Sequence, residues 1–270
     1  MFRLKALCLL FFIVGVSFNL SKVSASDLPK EITLSTTEWC PYTCLKDPSS
    51  TDQITDGLIV EYLTSIFEQL EIKLIVKNLP WSHAVRRANE GQEIDGLLAA
   101  VFEEAPDLAF TNVPTMTYQI CMFTNDDTKW QFKPADTEKE LLYNLQARKV
   151  GIINGYGYDP VFDRFAANSL NAAFIERVSD RNGLDILFTF LERHRIDAFL
   201  SNEQVIAWHL KNHAGHAKVK NVGCFNENPF FIGLNPSKIW TNDLLQRLDS
   251  TLIKPENQKL LSELITKYTH

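Results

Sequence analysis

Residues 80–111 read PWSHAVRRANEGQEIDGLLAAVFEEAPDLAFT, and this stretch decides the fold class. Ser82 can cap a helix that runs through Glu90, and Gly91 can end it in the left-handed conformation that glycine adopts freely. Ile94 to Val101 is then a largely apolar run of the kind buried on both faces of a parallel sheet. With Ile72 to Val76 as a strand upstream, the segment reads as strand, helix and buried strand, the unit from which α/β proteins are built.

The alternation continues in both directions. Upstream, Ile32 to Thr37 is the first strand, and Asp56-Gly57 opens a helix in which Leu63, Ile66, Phe67 and Leu70 fall on one stripe. Downstream, Tyr118 to Thr124 is a strand, after which a second series begins. It comprises Lys149 to Ile153, a helix from Asp159-Pro160, Phe174 to Val178, and a helix carrying Leu184, Leu187, Phe188 and Leu191. Asp159 as cap with Pro160 in the first helical position is a strong start signal. Ala198 to Leu200 and Val219 to Val222 complete that series, Phe230 to Leu234 is a further strand, and helices follow Thr241 and Pro255. No internal repeat, low-complexity tract or Gly/Ser linker separates the two series.

Residues 1–25 carry Arg3 and Lys5, an apolar run from Ala6 to Val16, and Val23-Ser24-Ala25, the pattern of an export signal peptide with a small-residue cleavage site. The run is broken by Gly15, Ser17, Asn19 and Ser21, which argues against a membrane anchor. Removing this leader leaves 24 Lys and Arg against 33 Asp and Glu, a net charge of −9, which excludes a duplex nucleic-acid partner. Export places Cys40, Cys44, Cys121 and Cys224 in an oxidising compartment, the periplasm. Of the three connectivities that four cysteines allow, the favoured one pairs Cys40 with Cys44 across a short loop braced by Pro41, and Cys121 with Cys224 across two strands. The spacing C-x3-C is not the redox C-x-x-C, and zinc thiolates are disfavoured where thiols oxidise.

With these residues in view, the chain resembles the family 3 extracellular solute-binding proteins, the polar amino-acid-binding components of ABC transporters. There a Pro-Trp or similar pair opens a helix, a Gly followed by Asp-Gly closes it, and an Arg about ten residues later clamps a ligand carboxylate. The resemblance covers nearly all of the mature chain. It implies an α/β, two-lobed periplasmic-binding-protein-like (type II) fold hinged on two crossover strands. Residues 26–118 and 228–270 would form a discontinuous first lobe and 119–227 the second, crossing near Tyr118 and returning near Asn228. It implies a monomer that delivers a small polar molecule to an inner-membrane ABC permease or a periplasmic sensor domain, with no cofactor, no metal and no catalysis.

Ligands of open α/β folds sit at the carboxyl ends of strands, and four such loops carry the candidate contacts. Glu38, Trp39 and Tyr42 lie in the first, where the family has an aromatic that stacks on ligand, and Trp81 opens the following helix. Ala100 lies in the second, Ala99-Ala100-Val101-Phe102, but the family's clamping Arg is missing and its place falls near Ala105. Tyr156 and Tyr158 lie in the third, Asn154-Gly155-Tyr156-Gly157-Tyr158, whose glycines allow close approach but which matches no phosphate-loop pattern. In the fourth, Asn202 stands where the family has an Asp for the ligand's amino group, with Glu203 beside it. Asp197 reads as structural. Loss of both charges predicts that ordinary α-amino acids are not the preferred ligand, with Glu38 and Glu203 as replacement anions.

Other groups read as bland. His209, His213 and His216 could meet on one helical face as metal ligands, but Ala214-Gly215 ends the helix before His216. Arg86-Arg87 reads as a solvated face, and His83 as a residue that can look into a cleft. An enzyme of the same fold, dehydratase-like, is the second class, with Glu38, Glu203 and His83 as its only candidates. A ligand-free interaction protein is the third. Neither G-x-S-x-G nor H-E-x-x-H occurs.

Overall fold

A computed structural model describes residues 28–46, 52–179, 182–213, 215 and 218–269. The leader and His216 lie outside the described residues. The first series comprises β1 (Glu31–Thr36), α1 (Leu58–Glu68), β2 (Lys73–Asn78), α2 (Trp81–Glu90), β3 (Gly96–Ala100), β4 (Ala109–Phe110) and the long β5 (Met116–Asn125). The second comprises α3 (Glu138–Leu145), β6 (Val150–Ile153), α4 (Pro160–Ala167), β7 (Ile175–Val178), α5 (Gly183–Glu192), β8 (Ala198–Ser201) and α6 (Glu203–Asn212). The 16-residue β9 (Val219–Leu234) follows, then α7 (Thr241–Leu252) and α8 (Pro255–Thr269). Among the described residues no helix is long and apolar enough to cross a membrane.

The strand order β2-β1-β3-β9-β5-β8-β6-β7 separates two parallel units, β2-β1-β3 and β8-β6-β7, with an antiparallel pair between them. The end of β9 pairs with β3 and β4, while its remainder runs antiparallel to β5 with Tyr118 opposite Asn228. Among the described residues β5 and β9 are therefore the strands that join the two halves of the sheet, and the architecture is the expected α/β, two-lobed, periplasmic-binding-protein-like one.

Local chemistry explains the pieces. β3 is buried at every position, lying between β1 and β9 with α2 packed against it. Gly96 within it is required by close approach, since a Cβ there would stand 2.1 Å from the Gly233 carbonyl oxygen of β9. Asp95 accepts the Thr33 N–H at 2.9 Å and pairs with Lys238 at 3.1 Å, so the Asp-Gly pair after α2 fastens β1, β3 and the segment beyond β9. Asp159 accepts the N–H groups of Val161 and Phe162, and Pro160 follows it, as the sequence predicts. Both favoured disulfides form, Cys40 with Cys44 and Cys121 with Cys224.

Two expectations change, and one helix was not expected. Ser82 does not cap α2: Pro80 holds the cap position, with Trp81 already helical and Ser82 exposed in the first turn. Val219 to Val222 and Phe230 to Leu234 are one strand, because β5 pairs with the polar residues between them and absorbs the extra length in two register shifts. The helix α3 escaped the apolar pattern because only Leu141 and Leu145 are buried; its signal is the capping box, Thr137 accepting the Glu140 N–H while Glu140 accepts from Asp136.

Candidate functional site

The carboxyl ends of β1, β3, β6 and β8 converge on a cavity of about 800 Å³ whose wall is drawn from both halves of the sheet. The first half contributes the segment after β1, which turns back on itself: Trp39 and Thr43 pair as an antiparallel bridge, and the Tyr42 and Thr43 N–H groups both donate to the Trp39 carbonyl. The Cys40–Cys44 disulfide closes that turn, and the Cys40–Pro41 peptide is cis. Trp39 stacks on Tyr42 with ring centres 4.4 Å apart and meets Phe230 edge-on at 5.5 Å. Tyr118 and Phe230, facing each other across the β5/β9 pair, stack at 3.9 Å. An aromatic floor thus sits where the two halves join.

Tyr42 is buried, and its ring does not line this cavity; its hydroxyl donates to Asn202 Oδ1 at 3.1 Å, from one half of the protein to the other. Burial raises the Tyr42 phenol well above its ordinary value, so it stays a donor. Asn202 also accepts the Gln204 N–H at 2.9 Å, capping α6, and donates to the Gln119 carbonyl at 2.9 Å. Its amide is therefore committed to the fold as well as to the cavity wall. The neighbouring Glu203 lies outside that wall and accepts from Asn221.

A second contact crosses between the halves. Glu104, in the 3-10 turn after β3, accepts the Gly157 N–H at 2.8 Å. A Cβ at Gly157 would stand 2.3 Å from Glu104 Oε1, so any larger residue there would displace that carboxylate. Burial is the main reason that the Glu104 carboxyl is pushed up to about 7, with the Gly157 bond opposing and Asp163 and Glu103 adding repulsion. Asp163, which accepts the Tyr158 N–H at 3.1 Å, is itself pushed up to about 6, again mainly by burial. Tyr158 is fixed by its hydroxyl, which accepts the Ile153 N–H at 2.7 Å, and burial raises its phenol far above the ordinary range.

At the other end of the cavity, His209 stacks between Phe188 at 5.0 Å and His213 at 4.3 Å, and its Nε2 lies 3.3 Å from Asp185. Helix α6 ends at Asn212, and among the described residues no group of three His, Cys, Asp or Glu could hold a metal. Carboxyl side chains line the cavity at Glu38, Asp52, Glu104 and Asp185, with His209 and His213 beside them, and no Lys or Arg does among the described residues.

Solved structures match this fold over almost the whole length of the chain. An ancestral arginine-binding protein bound to arginine superposes with a TM-score of 0.68 at 17% identity, covering 90% of this chain and 99% of that one. The chain has the fold of the amino-acid-binding proteins. The amino acid ABC transporter substrate-binding protein AbpA from Streptococcus pneumoniae, bound to L-arginine, gives 0.66 at 16% identity, covering 89% and 94%. An ancestral amino acid-binding protein, a precursor of cyclohexadienyl dehydratase, gives 0.64 at 15% identity, covering 89% and 96%. No protein-family model matches the sequence, and no curated protein does.

Of the candidate residues, Glu38, Trp39, Trp81, Tyr156, Tyr158 and Asn202 line this cavity. Tyr42 and Glu203 lie behind its wall, and Ala100 is fully buried among Trp81, Ala84 and Leu97, with Ala99 facing the cavity in its place. In the alternating pattern of a strand, neighbours point to opposite faces, and Ala99 and Ala100 could not be told apart from sequence. His83 is exposed on α2, outside the wall. Glu104 is the residue that the sequence reading passed over. Its signal was the missing Arg: the vacated place near Ala105 is preceded by two acids.

Proposed function

We propose that this protein is a periplasmic solute-binding protein that encloses a small polar ligand between two lobes and performs no chemistry on it. The observation that carries this reading is a cavity walled from both halves of the sheet, with contacts between the halves from Tyr42 to Asn202 and from Gly157 to Glu104. In this reading residues 26–118 and 228–270 make the first lobe and 119–227 the second, and β5 and β9 make the hinge. A ligand touching both lobes shifts an open-to-closed equilibrium by its differential affinity for the two states. The closed surface is then read by an ABC permease or a sensor domain, with the exported protein acting as a monomer.

The ligand is not an ordinary α-amino acid. No guanidinium faces the cavity among the described residues, and the amide of Asn202 is held by the α6 cap, Gln119 and Tyr42. The test is a thermal-shift screen of the mature chain against amino acids, polyamines, small acids, sugars and short peptides, followed by small-angle scattering on each hit. A hit that raises the melting temperature and contracts the particle supports the reading. Failure of every class to do either would overturn it.

A second reading has one observation behind it. Glu104, with a carboxyl pushed up to about 7 inside the cavity, has the titration range of a general acid or base. Recovery of a chemically altered product after incubation with a bound compound would favour an enzyme; recovery of the unaltered compound favours the binding protein.

A further inference from the structure

We infer that Asn154, in the loop that meets Glu104, is a site of deamidation, and that its conversion to isoaspartate loosens the contact between the two halves. This goes beyond the solute-binding reading, and its chemistry does not depend on it. The chain has two Asn-Gly pairs, Asn154-Gly155 and Asn182-Gly183. In such a pair the glycine nitrogen can attack the Asn side-chain carbonyl carbon, since the glycine carries no Cβ to obstruct the approach. A new C–N bond forms, ammonia leaves, and a five-membered succinimide results. Water then opens the ring at either carbonyl. Opening at the former side-chain carbonyl gives Asp; opening at the main-chain carbonyl gives isoaspartate, in which the main chain runs through Cβ and is longer by one atom. One water is consumed and one ammonia released.

The fold separates the two pairs. Asn154 and Gly155 are both exposed, in a turn closed by the Tyr156 N–H on the Ile153 carbonyl at 3.3 Å, with Gly155 at a φ of +86°. Space around Gly155 is open: a Cβ there would come within 3.9 Å of Ser82 and no nearer to any other described residue beyond its chain neighbours. Gly183, by contrast, is buried in the first turn of α5, where a Cβ would stand 2.9 Å from Ile153 Cγ1 and the Asn182 carbonyl accepts the Ile186 N–H at 3.1 Å. Ring closure needs rotation of the Asn backbone and side chain, which the exposed turn allows and the start of a helix opposes. Position supplies the consequence. Between Ile153 and Tyr158 the chain is tied at three points: the Ile153 N–H donates to the Tyr158 hydroxyl at 2.7 Å, the Gly157 N–H to the half-buried Glu104 at 2.8 Å, and Tyr156 packs against the cluster around Trp81. An extra main-chain atom at residue 154 alters the span between these ties, and the Gly157 bond, made to the other half of the protein, is the one expected to yield.

The test ages the full mature chain in mildly alkaline buffer, folded and in urea, and follows both pairs by mass spectrometry after digestion in acid. Conversion at Asn154 several-fold ahead of Asn182 in the folded protein, with the difference lost in urea, is expected. Equal conversion of the two in the folded protein, conversion of Asn182 alone, or conversion of neither would overturn the site, and a preference that persists in urea would overturn the part given to the fold. The isoaspartate form, separated by its added negative charge, is expected to show several-fold faster hydrogen exchange at the Gly157 amide than the fresh parent. N154Q, whose longer side chain does not close the five-membered ring, should show no such change on ageing; an equal change there would overturn the assignment to Asn154. N154D carries the charge without the extra atom, so exchange at Gly157 as fast in N154D as in the isoaspartate form would overturn the role given to main-chain lengthening. Unchanged exchange in the isoaspartate form would overturn the loosening itself. No arm reads ligand binding, so each failure leaves the solute-binding reading standing.

Discussion

Replacing Glu104 by Gln should stabilise the empty protein, and more so at high pH. The carboxyl is pushed from its ordinary 4.5 to about 7, so the folded closed form holds this proton more tightly than the unfolded chain does. For an acid shifted upward, the folded state binds more protons throughout that window. Stability therefore falls as pH rises from about 4.5 to 7 and stays reduced above it. At about 1.4 kcal/mol per pH unit the penalty reaches about 3 kcal/mol for the closed form. Gln keeps the acceptor for Gly157 and carries no charge, so E104Q should match the parent near pH 5 and exceed it near pH 8. For a chain of this size, about 3 kcal/mol corresponds to roughly 6–12 °C in melting temperature. Asp163 titrates in the same range in both proteins, and its contribution cancels to first order in the difference. The assay is thermal unfolding of ligand-free parent and variant at both pH values, with scattering on the same samples. A gain no larger near pH 8 than near pH 5, with an unchanged radius, would refute the reasoning.

Three further outcomes are expected. Gly223→Ala should lower stability by about 2 kcal/mol or more, read from the urea midpoint, because φ there is +146° and a Cβ would stand 2.2 Å from the Phe132 carbonyl oxygen. Replacing Cys121 and Cys224 together by Ser removes a cross-link between residues 103 apart and should cost about 4–5 kcal/mol, read from the urea midpoint of parent and variant without reductant. Tyr42→Phe deletes a hydrogen bond between the halves, about 1 kcal/mol, and should raise the open fraction of the empty protein about fivefold by scattering.

What could be read from the sequence was what the fold itself requires. The segment from Pro80 to Val101 resembled known proteins because Asp95 must reach Thr33 and Lys238 and Gly96 must let β9 pass, constraints of the sheet that leave a mark on residue type and spacing. The cap at Asp159 and the two disulfides were legible for the same reason. The site was only half legible. Four loops at strand ends could be named, yet which side chain of each loop faces inward depends on the pleat and on packing against the other half, and so Ala100 and Ala99 exchanged places. Asn202 shows the difficulty most clearly: its number places it in the cavity, but its bonds to Gln204, Gln119 and Tyr42 come from three parts of the chain, and only one of those is local. Glu104 was hidden because an exposed-looking acid in a Glu-Glu pair acquires meaning only when Gly157, 53 residues on, closes over it.

That closure gives the empty protein a reason to open. Gly157 and its loop reach Glu104 from the second half, so separating the halves returns the carboxylate to water and relieves the penalty that burial imposes. Above pH 7 the ionised group then favours the open state by at most the same 3 kcal/mol or so, a population ratio of roughly 150. Below about 4.5 the neutral acid favours neither. The empty parent should accordingly contract in scattering as pH falls from about 8 to 5, while E104Q stays contracted at both. A parent protein whose radius is the same at both pH values would remove that coupling from the account.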